Sequence, residues 1–256
     1  MIFRKEGNAL TASRGGETLR IEGWGKNALR VRAVMYDTWI SRDYALTEKP
    51  ADIECEIQIG TEENPDGSGC APCAEIRNGR IRATVNFAGV ISFYRDGKLI
   101  LREYYRSYGG TLVQTSRCLK IVNREWKGNI GGSEYTLTVR FDPNKEEKIY
   151  GMGQYQQPYL NLKGTMLELA QRNSQISVPF MISSLGYGLL WNNPAVGRVT
   201  FASNVTEWVA RSTQQMDYWI CAEENPKEIL NGYTAVTGRA PMFPDSLMGL
   251  WQCKLR

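Results

Sequence analysis

Apolar and polar residues alternate with a period of two along much of the first part of the chain. The clearest alternating segments are 19–24, 28–34, 80–87 and 134–141. Alternation of this kind places one face of a β-strand against a core and the other face in water. Turn sequences such as Asn78-Gly79 and Asp96-Gly97 separate neighbouring segments. The pattern predicts a meander of short antiparallel strands.

Beyond residue 148 the predicted strands become more uniformly apolar. The segments 178–182, 188–191 and 217–221 carry few polar residues, which is typical of strands that are buried on both faces. Many short strands at close spacing, with turn residues between them, indicate a β-sandwich. The sequence therefore predicts an all-β fold in which antiparallel sheets pack against each other.

One helix is predicted, over residues 226–237. Asn225 is suited to cap it, and Pro226 occupies the first helical position, where the missing N–H costs nothing. Gly238 provides a stop. Four apolar residues are expected to form its buried face: Ile229, Leu230, Tyr233 and Val236.

The last residues predict a linker followed by the start of another domain. Residues 241–244 are bounded by two prolines, and residues 247–256 have the composition of a buried strand. A buried strand needs neighbours on both sides, so we expect this chain to be the front part of a larger protein. We also expect the apolar strand, when unpaired, to promote self-association.

Composition restricts the classes of function. The net charge is +4, charged residues are 23%, and no run of five or more basic residues occurs, which argues against nucleic-acid binding. No apolar stretch approaches the ~18 residues needed to span a bilayer. The first eight residues lack the apolar core of a signal peptide, so the expected location is the cytoplasm. No membrane or nucleic-acid partner is expected.

The chain contains no histidine, which excludes Ser-His-Asp and Cys-His nucleophile schemes and the common zinc hydrolase sites. Any hydrolysis would therefore depend on carboxylates. A retaining or inverting pair must lie about 5–10 Å apart across the sugar, and no local pattern pairs the candidates. These candidates are Asp37, Asp43, Glu168 and Asp217.

Six cysteines are present, and two of them form the sequence Cys70-Ala71-Pro72-Cys73. A Cys-x-x-Cys pair can be a redox site or half of a zinc site. No further ligands stand at suitable spacing, and the pair follows a Gly-, Pro- and Asp-rich stretch. We therefore expect an incidental position in a loop, with no metal and no cofactor.

Amides, arginine and aromatic residues are concentrated in the region 149–200. Planar amides and guanidinium groups hydrogen-bond sugar hydroxyls, and aromatic faces stack on pyranose rings. The same composition also fits a polar loop that packs against a neighbour, and the residues alone leave both alternatives open. The isolated Gly151-x-Gly153 is a weak phosphate-binding signal because no third glycine and no helix follow.

Six motifs in a fixed order resemble the N-terminal part of glycoside hydrolase family 31, the α-glucosidases and α-xylosidases. The resemblance covers nearly the whole chain and is most specific from residue 149 onward. The motifs are Tyr150-Gly151-Met152-Gly153-Gln154, Gln171-Arg172-Asn173, residues 178–188 (VPFMISSLGYG), Asp217-Tyr218-Trp219-Ile220, Thr237-Gly238-Arg239-Ala240-Pro241 and Gly249-Leu250-Trp251-Gln252-Cys253-Lys254.

The resemblance implies a mutarotase-like β-sandwich over residues 1–240 and the first strand of a (β/α)8 barrel within 241–256. It implies that both catalytic Asp residues of a retaining α-glycosidase lie in that barrel, so no residue of this chain is expected to be catalytic. A loop at about 154–176 would reach the sugar, an α-linked oligosaccharide or glycoside. The implied substrate contacts are Gln171, Arg172, Asn173 and Trp251.

The family often has Asn-Arg-Asp where this chain has Gln171-Arg172-Asn173. Asn173 keeps an acceptor but lacks the carboxylate charge. A different class of function is a standalone carbohydrate-binding sandwich without catalysis. A sugar mutarotase would share the fold, but those enzymes typically use histidine, which is absent here.

Overall fold

A computed structural model of the chain describes residues 1–36, 39–47, 53–63, 69–106 and 121–254. These residues form eighteen strands, one α-helix and one 3-10 helix. The first nine strands are β1 Ile2–Glu6, β2 Ala9–Arg14, β3 Glu17–Gly23, β4 Ala28–Met35, β5 Glu56–Glu63, β6 Cys70–Asn78, β7 Ile81–Val85, β8 Ile91–Arg95 and β9 Lys98–Arg102. The remaining strands are β10 Arg124–Gly128, β11 Tyr135–Phe141, β12 Ile149–Gln154, β13 Met166–Leu169, β14 Ile176–Ser183, β15 Tyr187–Trp191, β16 Gly197–Phe201, β17 Thr206–Thr213 and β18 Gln215–Ala222. The helices are α1 Pro226–Thr237 and a 3-10 turn at Asp245–Leu247.

The strands form three antiparallel sheets, so the predicted all-β sandwich is confirmed. The large sheet has the order β1-β2-β3-β4-β18-β15-β14-β12. The two smaller sheets have the orders β10-β11-β17-β16-β13 and β5-β6-β7-β8-β9. An isolated bridge between Glu103 and Phe141 joins the two smaller sheets. The sandwich therefore consists of one wide sheet packed against two narrower ones.

The core lies between the large sheet and the two smaller sheets. Inward-facing residues of all three sheets form one cluster, represented by Val31 on β4, Ile76 on β6 and Val139 on β11. Each of these side chains is fully buried. Polar residues occupy the alternate positions, as the period-two pattern predicts. Trp191 and Trp208 stack within the same core, with ring centroids 5.7 Å apart.

The central strand β18 is buried on both faces, as its apolar sequence predicts. Tyr218 and Ile220 face the main core, whereas Trp219 and Cys221 face a second cluster on the outer side of the large sheet. Helix α1 covers that second cluster. The sheet is thus enclosed on both sides at its centre, which explains the continuous apolar run of this strand.

Helix α1 has the predicted bounds and caps. The Asn225 side chain accepts a hydrogen bond from the backbone N–H of Glu228, and Gly238 ends the helix with a φ of 96°. Ile229 and Val236 are buried against the sheet. Leu230 was predicted on the same face, and this prediction is wrong because the side chain is 46% exposed. The contact face is narrower than the apolar pattern suggested.

Tyr233 makes a further helix–sheet contact. Its ring stacks on Phe180 of β14 with a centroid separation of 3.9 Å and an interplanar angle of 8°. Burial raises the pKa of the Tyr233 phenol.

A buried ionic group connects all three sheets. Arg124 of β10 binds Glu103, with a shortest N–O distance of 2.5 Å, and Glu17 of β3 at 2.8 Å. It also donates to the carbonyl of Gly89, which precedes β8. Asn123 completes the hydrogen bonding of Glu103 at 2.6 Å. Two carboxylates thus share one guanidinium, and the hydrogen bonds of Asn123 and Gly89 supply further partners, which a buried ionic group requires.

The predicted loop position of Cys70 and Cys73 is wrong. Both lie in β6, which pairs with β5 along its whole length. Residues three apart on a strand point to opposite faces, so the two thiols do not converge. Cys70 is exposed, and both cysteines are free. The preceding residues 64–68 lie outside the described part of the chain.

The predicted strand over residues 247–256 is not formed in the described part of this segment. Asp245–Leu247 is a 3-10 turn, and residues 248–254 pair with no other described strand. Backbone N–H and C=O groups form a strand only when a neighbouring edge satisfies them, and no edge strand of the described sheets pairs with this segment. Met248, Leu250 and Trp251 are instead exposed. The domain boundary at residue 240 stays a prediction.

Candidate functional site

The predicted substrate loop crosses from the large sheet to a smaller one. It leaves the large sheet at β12, contributes β13 to the smaller sheet and returns through a turn at residues 171–175 into β14. Tyr155 ties the three strands together. Its phenol oxygen lies 2.8 Å from the carbonyl oxygen of Glu168 and 2.8 Å from the hydroxyl oxygen of Ser177. The hydrogen bonds of Tyr155 therefore hold the two strands on either side of the turn in place.

Gly151 and Gly153 shape the start of this loop. Gly151, Met152 and Gly153 have φ values of 98°, 70° and 94°, and the register between β12 and β14 shifts across them. A Cβ on Gly153 would lie 2.2 Å from the carbonyl oxygen of Ile176. The two glycines thus form a β-bulge that redirects the chain, which is a structural use of a motif that was a weak signal for phosphate.

Gln171 is used within the turn. Its Nε2 donates to the carbonyl of Ser177 at 2.7 Å, and its Oε1 accepts from the N–H of the same residue at 3.1 Å. The side-chain amide therefore makes the two hydrogen bonds to the backbone of β14 that a neighbouring strand would make. A sugar contact by this amide would compete with two existing hydrogen bonds.

Arg172 is held loosely. Its guanidinium pairs with Glu168 four residues earlier, and Arg211 of β17 approaches the same carboxylate at 3.8 Å. The Arg172 side chain is 59% exposed. Surface ion pairs contribute only about 0–1 kcal/mol, so Arg172 can exchange this partner for a ligand hydroxyl at small cost.

Asn173 stands at the tip of the turn. It is exposed, and its side chain makes no hydrogen bond to any residue in the described part of the chain. Ser174, which follows it, has a φ of 68°, and the N–H of Gln175 donates to the carbonyl of Arg172 at 3.2 Å. The backbone is therefore fixed, while the amide of Asn173 has both its donor and its acceptor free.

The loop also carries exposed apolar side chains. Tyr159 and Leu160, on the connection between β12 and β13, are 62% and 82% exposed. An exposed aromatic ring and a free amide on one loop are the combination that sugar sites use. Tyr155, which fixes the loop, was not singled out in the sequence, because its role depends on strands that are distant from it.

Trp251 lies outside this loop. It is 71% exposed, and its indole N–H donates to the carbonyl of Leu247 at 3.0 Å. No hydrogen bond joins Trp251 to the turn 171–175 within the ranges that the structure describes. The structure therefore brings Gln171, Arg172 and Asn173 together on one turn, and Trp251 is not part of that turn.

The three candidate carboxylates that the structure describes do not form an acid–base pair. Asp43 and Asp217 both bind Nη2 of Arg30, each at 2.6 Å, and Asp217 also accepts from Asn192 at 2.8 Å. Burial raises the pKa of Asp217, and the Arg30 charge opposes this effect. Both carboxylates bind the same guanidinium, so we interpret them as stabilising the fold and not as an acid–base pair.

Glu168, the remaining candidate among the described residues, gives no further pair. Glu168 is bound by Arg172 and Arg211, and Asp37 lies outside the described residues. No group of three Cys, Asp or Glu side chains in the described ranges is arranged to hold a metal ion. None of the described helices has the length and apolar character needed to cross a membrane.

Comparison with known proteins gives a consistent result. A family model described as the glycosyl hydrolase 31 N-terminal galactose mutarotase-like domain matches residues 18–199. An uncharacterized family 31 glucosidase of Pseudescherichia vulneris is 47% identical over 249 residues, which are 94% of this chain and 45% of the relative. Alpha-xylosidase A of Aspergillus niger is 30% identical over 99% of this chain and 35% of its own length.

A solved structure is similar along the whole chain. It is a family 31 α-xylosidase from a soil metagenome, in complex with xylose, which is 46% identical with a TM-score of 0.85. The match covers 100% of this chain and 37% of that one. The chain thus spans less than half the length of each of these relatives.

Proposed function

Because the chain belongs to glycoside hydrolase family 31 and carries the N-terminal domain of that family, we propose that it forms part of a retaining α-glycosidase of the α-xylosidase type. In this proposal the sandwich supplies the turn 171–175 to a sugar subsite. The two catalytic Asp residues belong to a (β/α)8 barrel outside these 256 residues. The 256 residues alone are expected to show no turnover.

The observation that carries the proposal is the free amide of Asn173 on a fixed turn. Gln171 and Ser177 hold the base of the turn through two hydrogen bonds, so presenting Asn173 requires no reorganisation of the backbone. A preorganised polar group binds with less entropic cost than a mobile one. Asn173 is proposed to bind one sugar hydroxyl, and Arg172 a second.

The similarity to proteins described as α-xylosidases, one of them solved with xylose, supports an α-xyloside as the substrate class. Asn173 offers both a donor and an acceptor without charge. A neutral amide suits hydroxyls of a neutral sugar. The turn is proposed to contribute affinity, while bond cleavage depends on the barrel.

The first test is the native gene product isolated from its source cells. Its mass and its hydrolysis of p-nitrophenyl α-xyloside and α-glucoside are measured together. A product much larger than 256 residues that cleaves the α-xyloside supports the proposal. A product of 256 residues that binds xylosides without cleaving them would instead make this chain a carbohydrate-binding sandwich.

The second test examines Asn173 in the active product. Asn173→Ala is expected to lower kcat/KM by about tenfold, since one or two hydrogen bonds to substrate are lost. Asn231→Ala, an exposed asparagine on α1, is the matched control and should retain full activity. Equal kinetics for the two variants would exclude the turn from the subsite.

A further inference from the structure

A continuous row of polar side chains crosses the outer face of the sheet β5–β9. The register places Gln58 opposite Glu75, Glu75 opposite Thr84, Thr84 opposite Ser92 and Ser92 opposite Arg102. Each of the five strands contributes one residue. Cross-strand partners lie about 4.5–5.5 Å apart, which is close to the spacing of polar groups along a polymer with regular hydroxyls.

The row forms the floor of a concavity. The cavity has a volume of about 550 Å³, within the range of about 300–1,000 Å³ that ligand pockets occupy. Tyr94 of β8 and Leu99 of β9, which are directly opposite each other, line one side. Leu99 is 47% exposed. The floor is polar and the side is apolar, which suits a sugar ring, because its hydroxyls form hydrogen bonds while its apolar face stacks on an aromatic ring.

Several hydrogen-bonding groups of this concavity are uncommitted. The amide of Gln58, the hydroxyls of Thr84 and Ser92, and the phenol of Tyr94 make no side-chain hydrogen bond to any described residue. The ring of Tyr94 is nevertheless held in place, because the Arg82 guanidinium lies 4.4 Å from its centroid. These neutral groups offer donors and acceptors without a rearrangement.

The charges of the concavity are balanced. Glu75 binds Arg82 at 2.8 Å, and Arg102 approaches Asp142 at 3.8 Å. The lining contains two carboxylates, Glu62 and Glu75, and two guanidinium groups, Arg82 and Arg102, so their formal charges cancel. A charged ligand would therefore find no net field to attract it, whereas a neutral ligand rich in hydroxyls would meet matching groups.

We propose that the outer face of the sheet β5–β9 is a second carbohydrate-binding site, which holds a neutral oligosaccharide across its strands. It is built on a different sheet from the turn 171–175 and uses none of its residues. In a carbohydrate-active protein such a site would retain a polymeric substrate near the chain. The inference does not depend on Asn173 or on catalysis.

The test is a titration of the full 256-residue chain with two neutral probes, maltotriose and isoprimeverose, followed by NMR chemical shifts and calorimetry. Binding with shifts centred on Thr84 and Ser92 is the expected result. The double variant Thr84→Val/Ser92→Ala removes two hydroxyls, keeps strand-forming residues and should weaken binding by about tenfold.

Asn231→Ala, on α1 and outside both proposed sugar sites, is the matched control. It should leave this binding unchanged. Loss of binding in Asn173→Ala with full binding in the double variant would overturn the second site while supporting the turn. Absence of binding for both probes in a folded wild-type chain would also overturn it. The proposed function is tested separately by kinetics, so either inference can fail alone.

Discussion

The carboxylate of Asp217 binds the guanidinium of Arg30, although the strand register places Asp217 opposite Arg32. The two hydrogen bonds measure 3.0 Å from Nε to Oδ1 and 2.6 Å from Nη2 to Oδ2. The contact therefore runs diagonally between β4 and β18. Arg30 also lies over the ring of Trp24 at 4.4 Å. This pair fixes the join between an N-terminal and a C-terminal strand at the centre of the large sheet.

Replacing Asp217 by Asn should destabilise the fold by about 3 kcal/mol, because a buried guanidinium loses its best partner. Asp43→Asn is the matched control on the same guanidinium. Its carboxylate is 36% exposed, so we expect a loss of about 1 kcal/mol or less. Urea unfolding measures both, and equal losses would contradict the importance of burial at Asp217.

The free energy of unfolding should fall at acidic pH because Glu17 becomes protonated. Burial opposes ionisation of this carboxyl, but the charge and hydrogen bonds of Arg124 prevail and hold its pKa below the usual value of a glutamate. A lowered pKa adds stability that is fully present above the unfolded-state value and is lost as pH falls through the folded-state value.

The stability difference between wild type and Glu17→Gln should therefore be largest near pH 6 and shrink below pH 4.5. Urea midpoints between pH 3 and 7 provide the measurement. Glu56→Gln, at an exposed position of β5, should run parallel to wild type. A difference for Glu17→Gln that does not change with pH would refute the assignment.

Gly153→Ala should be strongly destabilising, by about 3 kcal/mol or more, because the new Cβ meets the carbonyl of Ile176 and φ is positive. Gly164→Ala separates the two effects. Gly164 has a φ of 87°, but a Cβ there meets nothing within 4 Å. It should cost only about 1 kcal/mol. Thermal unfolding of both variants provides the measurement. Similar losses of stability would mean that the backbone shifts and relieves the close contact at residue 153.

Thiol labelling should separate the cysteines by burial. Burial raises the pKa of Cys221 to about 12, so this thiol is protonated and enclosed at pH 8. Cys70 and Cys253 are exposed. We expect iodoacetamide to modify these two first and Cys221 only when the chain unfolds, as measured by peptide mass spectrometry. Early modification of Cys221 would show that α1 opens from the sheet.

The C-terminal segment should promote self-association. Leu250 and Trp251 are 101% and 71% exposed, and exposed apolar surface of this kind drives association. Replacing both by Ser should shift the chain toward monomer in sedimentation velocity. Leu160→Ser, which removes an exposed apolar side chain from another loop, should have little effect. An unchanged distribution for the double variant would place any association elsewhere.

Local chemistry made much of the fold predictable. The apolar run of β18 indicated burial on both faces, and Asn225 with Pro226 indicated the start of α1, because these signals are contained in adjacent residues. Strand β5 was not predicted from the sequence. Seven of its eight residues are exposed, so it lacks the alternation by which strands are recognised.

Strand β6 was missed for a different reason. It contains Pro72, which normally argues against a strand. In the structure Pro72 pairs with Thr61 of β5, but β7 begins to pair with β6 only at Ala74. Pro72 thus lies where one side of the strand has no partner in β7, and the missing N–H is tolerated there.

The candidate site was predictable only through the resemblance to a family. The resemblance located Arg172 and Asn173, but it could not show that Gln171 is occupied by Ser177, because that depends on where β14 passes the turn. The row of polar side chains that includes Thr84 and Ser92 could not be predicted either, because it depends on the pairing of five strands.

The pairing of β4 with β18 has a consequence for synthesis of the protein. Strand β4 is complete at Met35, yet its partner begins only at Gln215. At 5–20 residues per second the ribosome needs roughly 10 to 40 seconds to make the intervening chain. During that time the edge of β4 that will bind β18 is unpaired, and unpaired strand edges are prone to aggregation.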